Sequence, residues 1–146
     1  MNWYKTSEER HGESGKKGDE GEAFFWDFIE QQDIKYTPLT DKLSQTKRKI
    51  DGIVQGVPID VKTNVFNGFH GVEISTHLKK KSGWIYTTEA IAIVVVDLNN
   101  KRIYSYKVEA MKNYIDRHRY RIKQTKTGDE ILWVDVQEDF IVTLKS

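Results

Sequence analysis

The apolar residues of this chain follow helical spacing at two places and strand-like alternation across the region between them. The first helix is predicted over 18–32, where acidic residues crowd the first turn and are favoured by the helix dipole. Its apolar stripe comprises Ala23, Phe25, Trp26 and Ile29. The second helix is predicted over 108–118. Residues 1–16 are polar and dotted with glycine, and we expect them to be loose.

Strands are indicated by period-two alternation or by short β-branched runs between turn residues. The predicted segments are 34–38, a hairpin over 48–63, then 72–77, 91–97, 102–107, and a final hairpin of 120–124 with 131–135. Residues 91–97 are almost continuously apolar, so this strand should lie in the middle of a sheet. Turn residues in 64–71, with Asn67–Gly68 as the hinge, and in 79–83 predict connections.

The hairpin over 48–63 places charged residues on one face of a strand. Gln55–Gly56 is a pair suited to a tight turn with positive φ at the glycine. One face of the second strand carries Val57, Ile59 and Val61. Because side chains alternate along a strand, Asp60 and Lys62 share the opposite face.

These charged residues can support chemistry on a phosphodiester. Asp60, with Asp51 across the hairpin, can hold a divalent metal ion, and Lys62 can place a cationic group beside it. This arrangement suits metal-assisted attack on the phosphorus atom. The simpler alternative is an exposed hairpin whose charged residues are only solvated. Upstream, the acidic residues Asp19, Glu20 and Glu22 could serve merely to stabilise the start of the first helix.

The spacing of Asp51, Asp60 and Lys62 resembles the PD-(D/E)xK nuclease superfamily, whose hallmark is Asp, a short spacer, then Asp or Glu, any residue and Lys on adjacent strands. The chain departs from this pattern at Ile50, where the family often has proline. The spacing from Gly18 to Glu22 is similar to the first motif of the Holliday-junction-resolvase branch, in which a helical glutamate contributes to the metal site. This resemblance implies that Glu22 is a further ligand, and Glu20 is the competing choice.

The order of predicted elements resembles the αβββαβ core of the restriction-endonuclease-like fold. This resemblance covers residues 18–116 and implies an α/β (α+β) protein with a mixed central sheet flanked by helices. Within it, Ser82-Gly-Trp-Ile-Tyr is similar to a segment that follows the catalytic hairpin in small phage-type nucleases.

The resemblance implies a Mg²⁺-dependent DNA endonuclease in which Mn²⁺ would substitute for Mg²⁺. The implied metal ligands are Glu22, Asp51, Asp60 and the backbone carbonyl of Val61, and Lys62 would orient or deprotonate the attacking water. A structure-selective, resolvase-like enzyme of DNA recombination is the leading expectation. A sequence-specific restriction or homing enzyme and a phage recombination exonuclease are alternatives. So small a chain needs partners to span two DNA strands, and a homodimer is expected.

The net charge of +1 does not by itself indicate a nucleic-acid-binding protein, but the charges are unevenly distributed along the chain. Acidic residues gather near the first helix and the C-terminus, and basic residues cluster at 42–49, 79–81 and 117–123. A nuclease needs such a division between metal ligands and phosphate contacts. The candidate phosphate contacts are Lys47, Arg48, Lys49, Lys79, Lys80 and Lys81. The alternative for each cluster is a solvated loop.

Other residues and other classes of protein carry weaker expectations. His70, His77 and His118 share no ligand spacing, so surface or loop positions are predicted for them. Trp84 is expected to cap the core rather than to stack on a base. A non-catalytic DNA-binding module on the same fold remains an alternative, whereas no glycine-rich loop suggests a nucleotide-handling enzyme of another fold.

Composition limits the class of protein. A chain of 146 residues is expected to form one domain with a sizeable core. It has no cysteine, which excludes disulfides and cysteine-based zinc sites. The apolar run at 91–96 is too short to cross a bilayer, and the first residues lack the apolar centre of a signal peptide. A cytoplasmic protein, or a phage protein that acts in the host cytoplasm, is therefore expected.

Overall fold

The computed structural model shows a mixed α+β fold. It describes the backbone of residues 7–145 and the side chains of residues 16–145. The α-helices in this part of the chain are α1 (Ser7–Gln31), α2 (Trp84–Thr87) and α3 (Val108–Arg117). The strands are β1 (Tyr36–Pro38), β2 (Gly52–Val54), β3 (Val57–Lys62), β4 (Val65–Phe66), β5 (Phe69–Thr76), β6 (Lys81–Ser82), β7 (Ala92–Asp97), β8 (Arg102–Lys107), β9 (Lys123–Gln124), β10 (Glu130–Asp135) and β11 (Val142–Leu144). A π-helical turn spans Ser44–Arg48 and a 3-10 turn spans Arg119–Arg121.

The larger sheet is mixed and has the strand order β1-β2-β3-β7-β8-β11. Its parallel pair is β3 with β7, which places Asp60 beside Ile93, and its other neighbours are antiparallel. A second sheet has the order β4-β5-β10-β9, with β6 added to β5. Since β4, β5, β6 and α2 lie between β3 and β7 in the sequence, these elements form the crossover that the parallel pair requires, and β9 and β10 complete the second sheet from later in the chain.

Two apolar clusters cover the two faces of the larger sheet. On one face, Phe25 and Ile29 of α1 pack on a group made of Ile59, Val61, Val94, Val96 and Ile103. The other face is covered by the second sheet, α2 and α3. Its largest fully buried side chains are Ile50, Ile85, Ile93, Met111, Ile115 and Leu132. Because alternate residues of a strand face opposite sides, Asp60 and Lys62 point to this second cluster.

Helix α1 lies close to the sheet at two glycines. A Cβ atom at Gly21 would overlap the side chain of Thr63, which follows β3, and one at Gly52 would overlap the ring of Trp26. The same indole stacks on Tyr36 with ring centroids 5.2 Å apart. These contacts fix the part of α1 that carries Glu22 over the end of the β2–β3 hairpin.

Most predicted elements of the central region are confirmed. Strand β7 lies between β3 and β8 and is buried from Ile93 onward. The Gln55–Gly56 turn has positive φ at both residues (49° and 81°), which matches the right-handed twist of a tight hairpin. Asn67–Gly68 forms a second turn of the same kind, so the expected connection at 64–71 is the hairpin of β4 and β5.

Three expectations are wrong. Residues 7–16 were expected to be loose but belong to α1. A helix propagates readily once the part that packs on the protein has formed. Residues 1–6, which carry the same expectation, lie outside the described part of the chain. Ala23, expected on the apolar stripe, is exposed. The final hairpin pairs over only two residue positions, and β10 pairs mainly with β5.

No helix among the described residues is both long and apolar enough to cross a membrane.

Candidate functional site

The candidate site lies along the edge of β3 that faces β2. It begins where the segment before β2 stops pairing with β3 through backbone hydrogen bonds. The Asp51 N–H still donates to the Ile59 carbonyl at 2.9 Å, but the next N–H along this edge, that of Val61, donates to Asp51 Oδ2 at 2.7 Å. The Asp51 side chain thus takes the place of a strand neighbour. Since the N–H and C=O of a strand residue point to the same edge, the Val61 carbonyl is directed toward this side as well.

Three carboxyl groups from three segments meet at this edge. Glu22 comes from α1, Asp51 from the residue before β2, and Asp60 from β3. Glu22 and Asp60 both lie beside Asp51, whose carboxyl group raises the pKa of each. Like charges this close repel each other, so the metal-free cluster favours the protonated form of its buried members.

Burial and mutual repulsion raise the pKa of two of these groups. The pKa of Glu22 is raised to about 8, mainly because the side chain is removed from water and further because Asp51 lies beside it. The pKa of Asp60 is also raised to about 8, again mainly by burial, since the residue is only 4% exposed. The ammonium group of Lys62 opposes the shift at Asp60 without cancelling it.

Lys62 lies between a carboxylate and an aromatic ring. Its Nζ is 3.3 Å from Asp60 Oδ2 and 4.7 Å from the centre of the Trp84 ring. The pair with Asp60 is not aligned as a hydrogen bond. As a result, Asp60 Oδ2 is a buried oxygen that has no hydrogen-bond partner among the described residues. A buried acceptor without a donor is uncommon in folded proteins and indicates a position suited to a bound cation or water.

The donor set suits a hard divalent cation, although it is not preassembled. No group of three or more Asp, Glu, His or Cys side chains between residues 16 and 145 is arranged to hold a metal ion as it stands. Instead, Glu22 and Asp60 lie beside Asp51, and their raised pKa values mean that protonation relieves the repulsion between these carboxylates. A bound cation would relieve the same repulsion. Carboxylate and carbonyl oxygens are the ligands that Mg²⁺ prefers, and Asp60 Oδ2, which accepts no hydrogen bond from the described residues, would then be coordinated.

The two acidic candidates on the first helix are clearly separated. Glu22 is half-buried and faces the cluster, whereas Glu20 is exposed. This separation follows from the helical rotation of about 200° over two residues. The structure therefore brings together Glu22, Asp51, Asp60 and Lys62 and leaves Glu20 in solvent.

The predicted basic contacts fall into two separate places. Lys47 and Arg48 lie in the π-helical turn, and Lys49 follows in a left-handed conformation two residues before Asp51. Arg48 is paired with Glu89 at 3.5 Å on the surface. The second basic group lies near Thr76, at the C-terminal end of β5, and comprises Lys79, Lys80 and Lys81. Thr76 is about 20 Å along the strand from His70, which is near the other end of β5.

His70 is a site neighbour that the sequence prediction placed wrongly. It was predicted to lie on the surface or in a loop, yet it is fully buried, and its Nε2 lies 2.8 Å from the Tyr106 hydroxyl. Burial lowers the pKa of His70 to about 3, so the ring is neutral. The alternation of Val72 and Ile74, extended back two residues, puts His70 on their face and could have indicated this position. Trp84 is buried, as predicted.

Comparisons of this chain with models of protein families, with curated protein sequences and with solved structures found no match.

Proposed function

We propose that this protein is a Mg²⁺-dependent DNA endonuclease of the PD-(D/E)xK type, built on the αβββαβ core of restriction-endonuclease-like proteins. The observation that carries the proposal is the meeting of Glu22, Asp51 and Asp60 with Lys62 at one strand edge. Buried carboxyl groups with strongly perturbed pKa values beside a specific charge partner are typical of functional sites.

Each residue has a role in this proposal. Asp51, Asp60 and Glu22, with the Val61 carbonyl, would hold Mg²⁺, and Mn²⁺ would substitute. When bound, the metal supplies Lewis-acid polarisation of the scissile phosphate and lowers the pKa of a coordinated water. Lys62, 3.3 Å from Asp60, would hold or orient the attacking water and stabilise negative charge that develops on the phosphate.

The cluster is difficult to explain as a stabilising feature of the metal-free protein. Burying carboxyl groups against each other opposes folding unless protons or cations neutralise them. Among the described residues, Lys62 is the basic group paired with Asp60, and it does not prevent the rise in the pKa of that carboxyl group. A bound cation would remove this cost.

The basic turn before β2 supports DNA as the substrate. Lys47 and Lys49 lie within four residues of Asp51 in the sequence, so a phosphate that they contact would lie near the proposed metal. We extend the proposal to a structure-selective, Holliday-junction-resolvase-like enzyme that acts as a homodimer. A chain with one site needs a second copy to cut both strands of a junction.

The experiment that tests the proposal is cleavage of a panel of labelled DNAs. Duplex, single-stranded, flap and four-way substrates are incubated with the protein and Mg²⁺, with Mn²⁺, or with EDTA. We expect metal-dependent cleavage, greatest on the four-way substrate. Lys62→Ala should abolish multiple-turnover cleavage, with at most a residual rate in single turnovers, and leave the circular dichroism spectrum and DNA affinity nearly unchanged.

The controls separate catalysis from binding alone. Substitution of the exposed Glu20 by Gln should leave cleavage unchanged. DNA binding without cleavage of any substrate, in either metal, would replace the enzyme with a non-catalytic binding module on this fold. Cleavage that Lys62→Ala leaves intact would point to a contaminating nuclease or to a different site.

A further inference from the structure

The indole of Trp84 is a rigid surface beneath the Lys62 ammonium group. Trp84 is 8% exposed and begins α2 directly after Gly83. The Gly83 N–H donates to the Ile74 carbonyl at 2.9 Å, and the Trp84 N–H donates to Glu73 Oε1 at 3.3 Å. These bonds anchor the start of α2 to β5 and hold the ring in place.

A second group of buried rings supports the indole from behind. His70 lies 5.9 Å from the Trp84 ring and 5.6 Å from the Tyr106 ring, measured between centroids. Tyr106 is paired across the sheet with Ile93, which is itself beside Asp60. The three rings therefore form a continuous buried layer next to the strand face that carries Asp60 and Lys62. Since His70 is neutral, this layer adds no charge that would repel the ammonium group.

The position of Lys62 differs from that of most lysines. A lysine at a strand end ordinarily extends its long flexible side chain into water. Here the side chain is only 25% exposed, and its Nζ lies 4.7 Å from the ring centre and 3.3 Å from Asp60. A cation over an aromatic face within about 6 Å is attracted by the ring, and more strongly when it is partly removed from water.

We propose that Trp84 is a positioning residue that holds the Lys62 ammonium group beside Asp60 through the face of its indole ring. The inference rests on the proposed nuclease function, because it assigns Trp84 a role in the reaction that Lys62 would perform. Trp84 does not touch the substrate in this proposal; it acts through Lys62 by limiting the places that the ammonium group can occupy.

The first test observes the geometry and requires no activity. Lysine side chains are labelled with ¹³C at Cε, and their proton and carbon shifts are measured in the wild type, in Trp84→Leu and in Lys62→Met. The ring current of Trp84 should move one lysine signal upfield in the wild type. That signal should disappear in Lys62→Met and return to the ordinary lysine position in Trp84→Leu. A wild-type spectrum with no shifted lysine signal would overturn the inference.

The second test is a double-mutant cycle on DNA cleavage. Single-turnover rate constants are measured for the wild type, Trp84→Leu, Lys62→Met and the double variant, with DNA affinity measured separately in Ca²⁺. Loss of the ring should lower the rate constant about tenfold and leave DNA affinity within twofold. In the Lys62→Met background, where only residual activity remains, Trp84→Leu should cause no further loss. Trp84→Phe keeps an aromatic face and should recover most of the rate.

The outcomes distinguish this inference from the proposed function. If the wild type cleaves DNA and the two substitutions lower the rate independently, Trp84 is only a core residue and the nuclease proposal stands. If the wild type cleaves no DNA, the proposed function and this role both fail, even where the shifted lysine signal is present. If Trp84→Leu does not fold, Trp84→Met, which also lacks an aromatic face but keeps a longer apolar side chain, takes its place in the cycle, and a rate loss that persists equally without Lys62 would overturn the inference.

Discussion

Asp60 is the residue at which stability and the proposed chemistry make opposite demands. Its neighbours Ile59 and Val61 pack under α1, so alternation along β3 directs the Asp60 side chain into the opposite layer, where water is scarce. Burial there raises the pKa of the carboxyl group even though Lys62 is 3.3 Å away. In the absence of metal, the folded protein therefore holds a proton that the unfolded chain would release.

This linkage predicts how stability depends on pH in EDTA. The pKa of Asp60 rises from 3.8 to about 8, and that of Glu22 from 4.5 to about 8. Between about pH 4.5 and pH 8 the folded state binds more protons than the unfolded state, so the free energy of unfolding should fall as the pH rises. Above that range both states are ionised and the slope should disappear. Urea denaturation at intervals from pH 4.5 to pH 9 measures this dependence.

Substitutions identify the groups responsible. Asp60→Asn should reduce the pH dependence to the part that Glu22 contributes and make the protein at pH 8 at least as stable as the wild type, because no buried carboxylate then forms at this position. The exposed Glu20 provides the matched control, and Glu20→Gln should follow the wild-type curve. A lower stability of Asp60→Asn at pH 8 would show that Asp60 is a structural partner instead.

Glu22 and Glu20 also give a matched pair for activity. Because only Glu22 reaches Asp51, Glu22→Gln should reduce metal-dependent cleavage by on the order of 100-fold or more, while Glu20→Gln should have little effect. Initial cleavage rates at several Mg²⁺ concentrations measure both the loss and any weakening of metal affinity. The reverse order of effects would reassign the helical ligand, and no effect from either would leave a site of two carboxylates.

At the scale of elements, the contact between α1 and the larger sheet depends on a missing side chain. Gly21 lies where a Cβ atom would overlap Thr63, whereas a Cβ atom at Gly18 would meet nothing within 4 Å. Alanine at the two positions should therefore act in opposite directions. Gly18→Ala should stabilise the protein by about 0.5–1 kcal/mol, because alanine is the better helix former. Gly21→Ala should destabilise it by about 1–3 kcal/mol through overpacking.

Thermal and urea denaturation of both variants measure these free energies. The combination of Gly21→Ala with Thr63→Ala should recover part of the loss, because it removes the side chain that is overlapped. If Gly21→Ala proved as stabilising as Gly18→Ala, the close approach of α1 to the end of β3 would be incorrect, and with it the support for Glu22.

Elements could be predicted where their signal is local. Strand β8 was predicted with the bounds Arg102–Lys107 that the structure shows, and β7 was recognised from its run of β-branched residues. The start of α1 was missed because glycine-rich sequence argues against a helix on propensity alone. The pairing of β10 with β5 was missed because it joins segments that are far apart in the sequence.

The candidate site, too, could be predicted only where its residues are close together in the sequence. Asp51, Asp60 and Lys62 could be grouped from sequence because one hairpin brings them together. Trp84, His70 and Tyr106 reach the site from α2, β5 and β8, respectively, and no short-range pattern joins those segments. Periodicity shows which face a residue occupies but not which distant residue covers that face.

At the scale of the whole molecule, the charge distribution predicts unequal roles for the two basic groups. The turn that carries Lys47 leads directly to Asp51, whereas Lys80 lies near the distant end of β5. Lys47→Ala should weaken DNA binding and reduce the slope of log affinity against log salt by about 1, as expected for one lost phosphate contact. Lys80→Ala should change the slope less.

Fluorescence anisotropy with a labelled four-way DNA, measured from low to moderate salt in Ca²⁺, determines these slopes. A substrate that extends along β5 would instead give equal losses for the two variants and would enlarge the DNA-binding surface. Unchanged affinity in both variants would remove these lysines from the interface.

The parallel pairing of β3 with β7 has a consequence for the order of events during synthesis. The carboxyl groups belong to a segment that ends at Lys62, yet β7, the strand that pairs with Asp60 and Lys62, does not exist until Asp97 has been added. While the ribosome makes the intervening strands β4 to β6, the acidic side chains of the nascent chain remain hydrated and separate. In the proposed nuclease, the site would become competent only after β7 has been made and the crossover has closed, so a partly made chain would not cut the nucleic acids around it.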